Sequence, residues 1–327
     1  MHKQIWHPWL VLLFSATTFS AAQEATSFTA APRMVASATQ PAPSPASAGV
    51  LEVIERPVPR PQNLARLMRP TFSIASEWQT EDSGVSLASY AGKMQVPTYP
   101  VFGPPPPFVD FSFKYTDLNV PASLDLPDDL YDYALGLSWM RKYNDEWLFR
   151  FMFSTAIATD GENTASDAWQ FRGGGFAMYR RNDQLTWIFG ALALGRNDIP
   201  VVPAAGAVWQ PHPTLRFDLT LPRPRIAILV RENALRQQWG YVGGGFSGGT
   251  WAYQRASGVN DQLTFRDWRL VLGWESTPRI KPGMPFARGQ KMNIEMGYVF
   301  AREFEFTSGV ADVKLRDAIL LGGSLHF

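Results

Sequence analysis

Long stretches in which large apolar residues alternate with small or polar ones constrain this chain more than any other feature. The clearest runs are 133–140, 147–154 and 292–301, where a large apolar residue occupies every second position. A period of two is that of a β-strand, because successive side chains point to opposite faces. Noisier versions of the pattern run through 168–180, 184–194, 213–220, 224–231, 237–253 and 263–275. The chain is therefore predicted to be all-β.

The predicted strands are longer than the five or six residues common in soluble sheets, and nine to eleven residues suit a tilted strand that crosses a bilayer. Aromatic residues gather near their ends, including Trp139, Trp147 and Trp187, as in the girdles of outer-membrane barrels. A soluble β-sandwich could use the same rings as core. At roughly 20 residues per strand and connection, residues 70–327 predict an antiparallel transmembrane β-barrel of about 12 strands, with a range of about 10 to 14.

The N-terminal part has a different composition from the predicted barrel. Residues 1–22 have the features of a cleaved signal peptide: Lys3, an apolar run over 9–19 and small residues before Gln23. Residues 23–69 are rich in Pro, Ala and Ser, and such a segment cannot bury enough apolar surface to offset its ordering entropy. We expect a disordered periplasmic linker. Its arginines could contact peptidoglycan, or the linker could be a solvated tether.

The last strand carries a pattern of its own. Ile319, Leu321, Leu325 and Phe327 are apolar at alternate positions, with Gly323 as the interruption. A final strand that ends in an aromatic residue resembles the assembly signal of bacterial outer-membrane barrels, which the barrel-assembly machinery reads. The resemblance implies that machinery as a partner, outer-membrane lipid as the surroundings, and the bacterial outer membrane as the location.

Three further segments resemble an uncharacterised family of predicted bacterial outer-membrane β-barrel proteins. They are the strand 263–275, the strand 297–304, and the arrangement of residues 222–226 followed by a glycine-rich strand that ends at Trp251. The resemblance covers roughly residues 70–327. It implies the barrel fold and brings no known activity or catalytic residues.

If the large apolar residues face lipid, the alternate positions face the lumen. The polar residues assigned to the lumen in this way carry both signs of charge: Arg150, Gln170, Arg172, Asp267, Arg269, Glu275, Glu295 and Glu303. They could form salt bridges that plug a narrow barrel, or line a polar channel with a transverse field. The glycine triplets 173–175 and 243–245 are expected at barrel bends, because no helix pattern follows to form a phosphate loop.

Composition removes several classes of function. The absence of cysteine excludes disulfides, thiolate metal sites and a cysteine nucleophile, and a net charge of +1 argues against nucleic acid as a partner. Beyond the predicted signal peptide the only histidines are His212 and His326. We predict no enzyme activity, no cofactor and no metal, although a membrane-embedded lipid hydrolase stays open.

The expected function is a passive pore or small-solute channel of unknown substrate. Two alternatives remain open at this point. One is a structural or anchoring barrel with a closed lumen. The other is a soluble periplasmic β-barrel or sandwich that binds an apolar ligand.

Overall fold

The computed structural model describes residues 70–82, 84–100, 105–279 and 289–327. The predicted signal peptide and linker, residues 1–22 and 23–69, lie outside the described residues. Almost all regular structure is β-strand, with two one-turn 3-10 helices at Ala122–Leu124 and Ser166–Ala168. Within the described ranges, no helix is long and apolar enough to cross a membrane, which has no bearing on strands.

Fourteen strands pair side by side into a closed antiparallel ring. In chain order they are β1 (Thr71–Asp82), β2 (Val85–Pro97), β3 (Phe108–Asn119), β4 (Asp129–Lys142), β5 (Trp147–Thr159), β6 (Trp169–Arg180), β7 (Leu185–Ala193), β9 (Gly206–His212), β10 (Leu215–Asp218), β11 (Arg225–Glu232), β12 (Arg236–Gln254), β13 (Asn260–Pro278), β14 (Lys291–Phe306) and β16 (Ala318–His326). Two short strands, β8 (Val201–Pro203) and β15 (Val313–Leu315), pair with β7 and β14 outside the ring.

The strand estimate of about 12 is wrong, because the ring has 14 strands. Several connections are only two to four residues long, including 83–84, 181–184 and 213–214, so each strand uses fewer residues than the estimate assumed. The missed strands include β1 and β2. Their outward positions include small residues such as Ala88 and Gly92, which weaken the period-two signal.

The two ends of the barrel differ in their connections. One end, the turn end, carries the short connections 143–146, 181–184, 213–214 and 233–235, together with the start of β1 and the end of β16. The other, the loop end, carries the longer connections 120–128, 160–168, 194–205, 219–224 and 307–317. Three connections depart from this division: the short one between β1 and β2 is at the loop end, and the longer ones that follow β2 and β13 are at the turn end. The short turns 143–146 and 181–184 contain asparagine and aspartate, which tolerate turn geometry.

The two faces of each ring strand differ as the alternation predicts. Outward-facing side chains are large, apolar and exposed: Leu135, Phe153 and Leu272 are exposed by 58%, 55% and 60%. We call this outward band of exposed apolar side chains the apolar belt. It includes residues of most ring strands, among them Phe111, Leu137, Phe151, Phe189, Ile228, Leu270, Met296 and Leu321. Positions between them point inward and are small, polar or packed in interior clusters.

The last strand closes the ring. β16 pairs with β1 on one side and β14 on the other, and the backbone groups of Phe327 and Phe72 bond to each other at the turn end. The residues of the predicted assembly signal, Ile319, Leu321, Leu325 and Phe327, share the outward parity of this strand. Their recognition by the assembly machinery stays a prediction.

The β12–β13 hairpin is much longer than its neighbours and leaves the ring. Each of its strands has 19 residues, and Ala252 near the tip of β12 is the parallel pairing partner of Thr159 at the end of β5. Five ring strands separate β12 from β5 on one side and seven on the other. The pairing therefore requires the hairpin to cross the interior at the loop end. We call residues 247–265 the cap hairpin.

Glycines allow this departure from the ring. Gly245 and Gly248 have φ of 143° and 134°, which side chains rarely adopt. A Cβ atom on Gly248 would lie 2.0 Å from the carbonyl oxygen of Phe265 across the hairpin. The second glycine triplet thus lies where β12 turns inward, as the sequence predicts for a bend.

Both faces of the cap hairpin are buried, which confirms that protein surrounds it. On one face Trp251, Tyr253, Leu263 and Phe265 form a core. This core includes inward residues of β2, β3, β4, β5 and β14, among them Leu87, Leu118, Leu130, Ala158 and Phe304. On the other face the hydroxyls of Thr250 and Thr264, both buried, lie 2.9 Å apart. The barrel therefore has an apolar core at its loop end.

We predict that Leu118→Ala destabilises the barrel far more than Leu135→Ala. Leu118 is fully buried beneath the cap hairpin, so its truncation leaves a cavity and costs about 2–5 kcal/mol. Leu135 faces outward, where no enclosed cavity forms. Urea titration of the folded barrel in detergent measures both free energies of unfolding. Equal losses for the two variants would contradict an internal core at this end.

Candidate functional site

One part of the barrel interior is filled by a buried ion-pair network on β1 and β13. The guanidinium of Arg269 donates to both carboxylate oxygens of Glu77, at 2.8 and 3.1 Å, and to Asp267 at 3.0 and 2.8 Å. Gln79 donates a further hydrogen bond of 3.1 Å to Asp267. Buried charges persist only when they are paired and hydrogen-bonded, and here each carboxylate is.

A second network lies on β10, β11 and β13. Arg225 donates to Asp218 at 2.8 Å and to Glu275 at 2.9 Å, and Arg216 donates to the same Asp218 oxygen at 3.1 Å. The Tyr241 hydroxyl donates to Glu295 at 3.0 Å nearby. Together the two networks fill the interior beside β10–β14, β16 and β1 with polar groups, most of them hydrogen-bonded to one another.

The opposite half of the interior holds a chamber of about 200 Å³. Its wall is formed by inward side chains of β2–β7, and its cover by Gly248–Trp251 of the cap hairpin. The charged residues of the wall are Lys93, Asp110, Lys114, Asp132, Arg172 and Arg196. Small and apolar residues, including Ala134, Gly136, Met152 and Leu192, make up much of the remainder. The barrel thus encloses a space lined by charged side chains and by small and apolar ones, instead of a filled core.

Most chamber charges have partners. Arg172 binds Asp132 through two parallel bonds of 3.0 and 2.6 Å, and Lys93 lies 3.5 Å from Asp110. Arg196 forms a similar bidentate pair with Asp198 of the loop 194–205. Bidentate arginine–carboxylate pairs fix geometry as well as charge, so these groups are held in defined positions around the chamber.

The structure places seven of the eight predicted lumen residues on the inner face. Gln170 and Arg172 line the chamber, and four of the others lie in the two ion-pair networks. Arg150 lies nearer the turn end. The seven are Arg150, Gln170, Arg172, Asp267, Arg269, Glu275 and Glu295.

Glu303 is the exception and lies on the outer face. The register between β13 and β14 shifts between the pairs Arg266–Glu303 and Trp268–Phe300, and Ala301 has φ of 49°. This bulge inserts a residue, so every position after it changes face. Glu303 therefore binds Arg266, which is 42% exposed, instead of facing the lumen.

The sequence analysis missed Glu77, Lys93, Asp110, Lys114 and Asp132. A signal existed for two of them: on β3, Asp110 and Lys114, together with Ser112, alternate with large apolar residues from Val109 to Tyr115. Glu77 and Asp132 could not be assigned a partner from sequence, because Arg269 and Arg172 are distant along the chain.

The tip of the cap hairpin is anchored by Asp261, which lies at the loop end, beyond the apolar belt. Its carboxylate accepts bonds from Arg255 at 2.5 and 3.0 Å and from the Ser308 hydroxyl at 2.7 Å. Burial raises the pKa of this carboxyl, but the bonds from Ser308 and Arg255 outweigh burial and the pKa falls below its ordinary value of 3.8.

No candidate catalytic or metal centre emerges from the described part of the chain. No group of three or more histidine, aspartate or glutamate side chains there is arranged to hold a metal ion. His212 ends β9 at the turn end, where its Nδ1 atom lies 2.7 Å from the Thr214 hydroxyl on the exposed surface. The chamber is therefore the candidate functional site.

We predict that cysteines replacing Thr159 and Ala252 form a disulfide on oxidation. The two residues are pairing partners between β5 and the cap hairpin, and paired Cα atoms lie within the range a disulfide requires. The chain has no other cysteine, so non-reducing gel mobility reports this bond alone. Cysteines at Thr159 and Val242, below the bend, should stay reduced. Failure of the first pair to cross-link would contradict the inward hairpin.

We also predict that Asp261→Asn lowers the free energy of unfolding at neutral pH by about 1–3 kcal/mol, as expected for hydrogen bonds to a charged group. Because the folded-state pKa is lowered, this stabilisation is present above 3.8 and is lost as the pH falls through the folded value. Urea titrations across this range measure the difference. Asp145→Asn, at an exposed turn, serves as the control. A pH-independent difference would contradict the charged anchor.

Comparison with known proteins places this architecture in context. The structure is similar to the NanC porin, with 9% identity, a TM-score of 0.34, and coverage of 78% of this chain and 98% of that chain. It is also similar to the beta domain of the Bordetella autotransporter BrkA, with 10% identity, a TM-score of 0.33, and coverage of 79% and 98%. A third similar structure is the Pseudomonas putida toluene transporter TodX, with 7% identity, a TM-score of 0.28, and coverage of 79% of this chain and 88% of that chain.

No curated protein matches the sequence. A family model does: the one described as "Domain of unknown function (DUF6268)" matches residues 108–312. The match includes the segments 222–251, 263–275 and 297–304, on which the sequence resemblance rested. Because the model covers more than half of the chain, the protein belongs to the DUF6268 family.

Proposed function

We propose that this protein is a narrow outer-membrane channel for small solutes, with the cap hairpin restricting its outer opening. The observation that carries the proposal is a chamber with charged side chains in its wall, inside a ring whose outer surface is apolar. Such a surface is unfavourable in water, whereas a bilayer matches it. A barrel that serves only as an anchor does not need such a chamber.

The backbone supports a membrane setting for the ring. In lipid every backbone polar group must be paired, so a sheet can cross a membrane only as a closed barrel. Pairing of β16 with β1 and β14 leaves no free edge in this ring. Most short turns lie at the end that carries the start of β1 and the end of β16, and longer loops predominate at the other, as on the periplasmic and extracellular sides of outer-membrane barrels.

A second candidate is a structural barrel with a permanently closed lumen. The two ion-pair networks and the apolar core beneath the cap hairpin favour it, since each fills space that a wide pore would leave open. The two candidates differ in one property: only the channel lets ions pass.

Gel mobility with and without boiling, followed by planar-bilayer recordings, tests the proposal. A folded transmembrane barrel resists SDS and shifts on heating, and a channel then gives discrete current steps. A heat shift without current would overturn the channel and favour the structural barrel. Loss of the protein from membranes in urea, with no heat shift, would indicate a soluble β-barrel instead.

We predict that Leu135→Arg lowers the free energy of unfolding in lipid vesicles by about 2–4 kcal/mol, the cost of arginine near the bilayer midplane. Leu135 is exposed and lies midway along β4, so the same change in a soluble protein would be nearly neutral. Leu235→Arg, at the exposed turn 233–235, is the control and should cost little. A neutral Leu135→Arg would contradict contact between the apolar belt and lipid.

A further inference from the structure

We propose that the chamber binds small anions, carrying a carboxylate or phosphate group, at the ammonium group of Lys114. The inference deepens the proposed channel function by naming its solute class, and its transport readout rests on that function. It starts from the charges of the chamber, their pairing, and the one cation that the pairing leaves over.

The chamber wall has more positive than negative groups. Lys93, Lys114, Arg172 and Arg196 line it, against the two carboxylates Asp110 and Asp132. Asp198, outside the wall, neutralises Arg196 in a pair whose side chains are only 3% and 4% exposed. Asp132 is taken by Arg172 and Asp110 lies beside Lys93. One positive charge therefore remains.

That charge belongs to Lys114. Among the residues that the structure describes, Lys114 forms no ion pair, because the chamber carboxylates Asp110 and Asp132 lie against Lys93 and Arg172. Its close contact is with the Trp251 ring of the cap hairpin, whose centroid is 5.6 Å from Nζ. An aromatic face attracts a cation weakly compared with a carboxylate, so the ammonium retains its capacity for an anion.

The surroundings of Lys114 also suit a small amphipathic anion. The hydroxyl-bearing Ser112 and Ser154 line the same chamber and can donate to an acceptor oxygen. Met152 and Leu192, on β5 and β7, contribute apolar side chains to the same wall. A volume of about 200 Å³ is below the roughly 300–1,000 Å³ of sites for drug-sized ligands, which limits the ligand to a few carbon atoms or to a phosphate ion.

A cation without an ion-pair partner inside a narrow pore also sets ion preference. The electrostatic effect of a single charge is strong where water is scarce and low-dielectric walls surround it. Arg172, which the sequence assigned to the lumen, is neutralised by Asp132 and should contribute less than Lys114. We therefore expect Lys114 on β3, and not Arg172 on β6, to determine the ion selectivity.

Charge selectivity tests the proposal in planar bilayers under a gradient of potassium chloride. We expect wild type to prefer chloride, Lys114→Gln to lose that preference with a reversal potential near zero, and Lys114→Arg to keep it. Lys142→Gln removes the same charge at an exposed turn and should behave as wild type. Heat-dependent gel mobility verifies that each variant is folded. Unchanged selectivity in folded Lys114→Gln would overturn the proposal.

Titration calorimetry in detergent, with sodium acetate and with sodium phosphate, needs no current and so separates the anion site from the channel. Binding by wild type and Lys142→Gln, lost in Lys114→Gln, supports the site even if the barrel conducts nothing. That result would contradict the proposed channel function and support the proposed anion site. If only one of the two salts gives a heat of binding, that salt identifies the chemical group that the site recognises. Equal heats in all variants, or none in wild type, would overturn the anion site.

Discussion

Closure of the sheet is the constraint on which the rest of this structure depends. β16 satisfies the backbone groups of both β1 and β14, so no edge remains unpaired in the ring. Once the ring is closed, each ring strand has one face toward the surroundings and one toward the interior, and alternation decides the environment of the side chains along each regular stretch of strand. The apolar belt, the ion-pair networks and the chamber all follow from that parity.

The interior of such a ring is too wide to be filled by strand side chains alone, and this protein fills it in two ways. Beside β10–β14, β16 and β1, paired charges such as Arg269 with Glu77 and Asp267 occupy the space. Beneath the loop end, the cap hairpin supplies an apolar core from the chain itself. The chamber is interior space that neither the ion-pair networks nor the cap hairpin occupies. Because its wall has one cation more than it can pair, the chamber has a chemical preference as well as a size.

Local alternation was sufficient to predict the all-β class, the strands β4, β5, β6 and β14, and the inward direction of Arg172 and Arg269. The bend at Gly245 and Gly248 had a local signal too. The position of the cap hairpin inside the barrel had no local signal, because the pairing of Ala252 with Thr159 is decided by packing between distant parts of the chain. Glu303 shows the other limit: one bulged residue at Ala301 reverses the parity of all that follow on that strand. Assigning the two faces of a strand from alternate positions is valid only as far as the next bulge.

The central claim is that the outward parity of the ring contacts lipid and the inward parity does not. The absence of native cysteine allows single nitroxide labels at each position from 133 to 140 on β4, in protein reconstituted into lipid vesicles. We predict accessibility to oxygen, which concentrates in lipid, at 133, 135, 137 and 139, with low accessibility at the positions between them. Accessibility of those odd-numbered positions to a water-soluble nickel complex, or no alternation at all, would contradict the account.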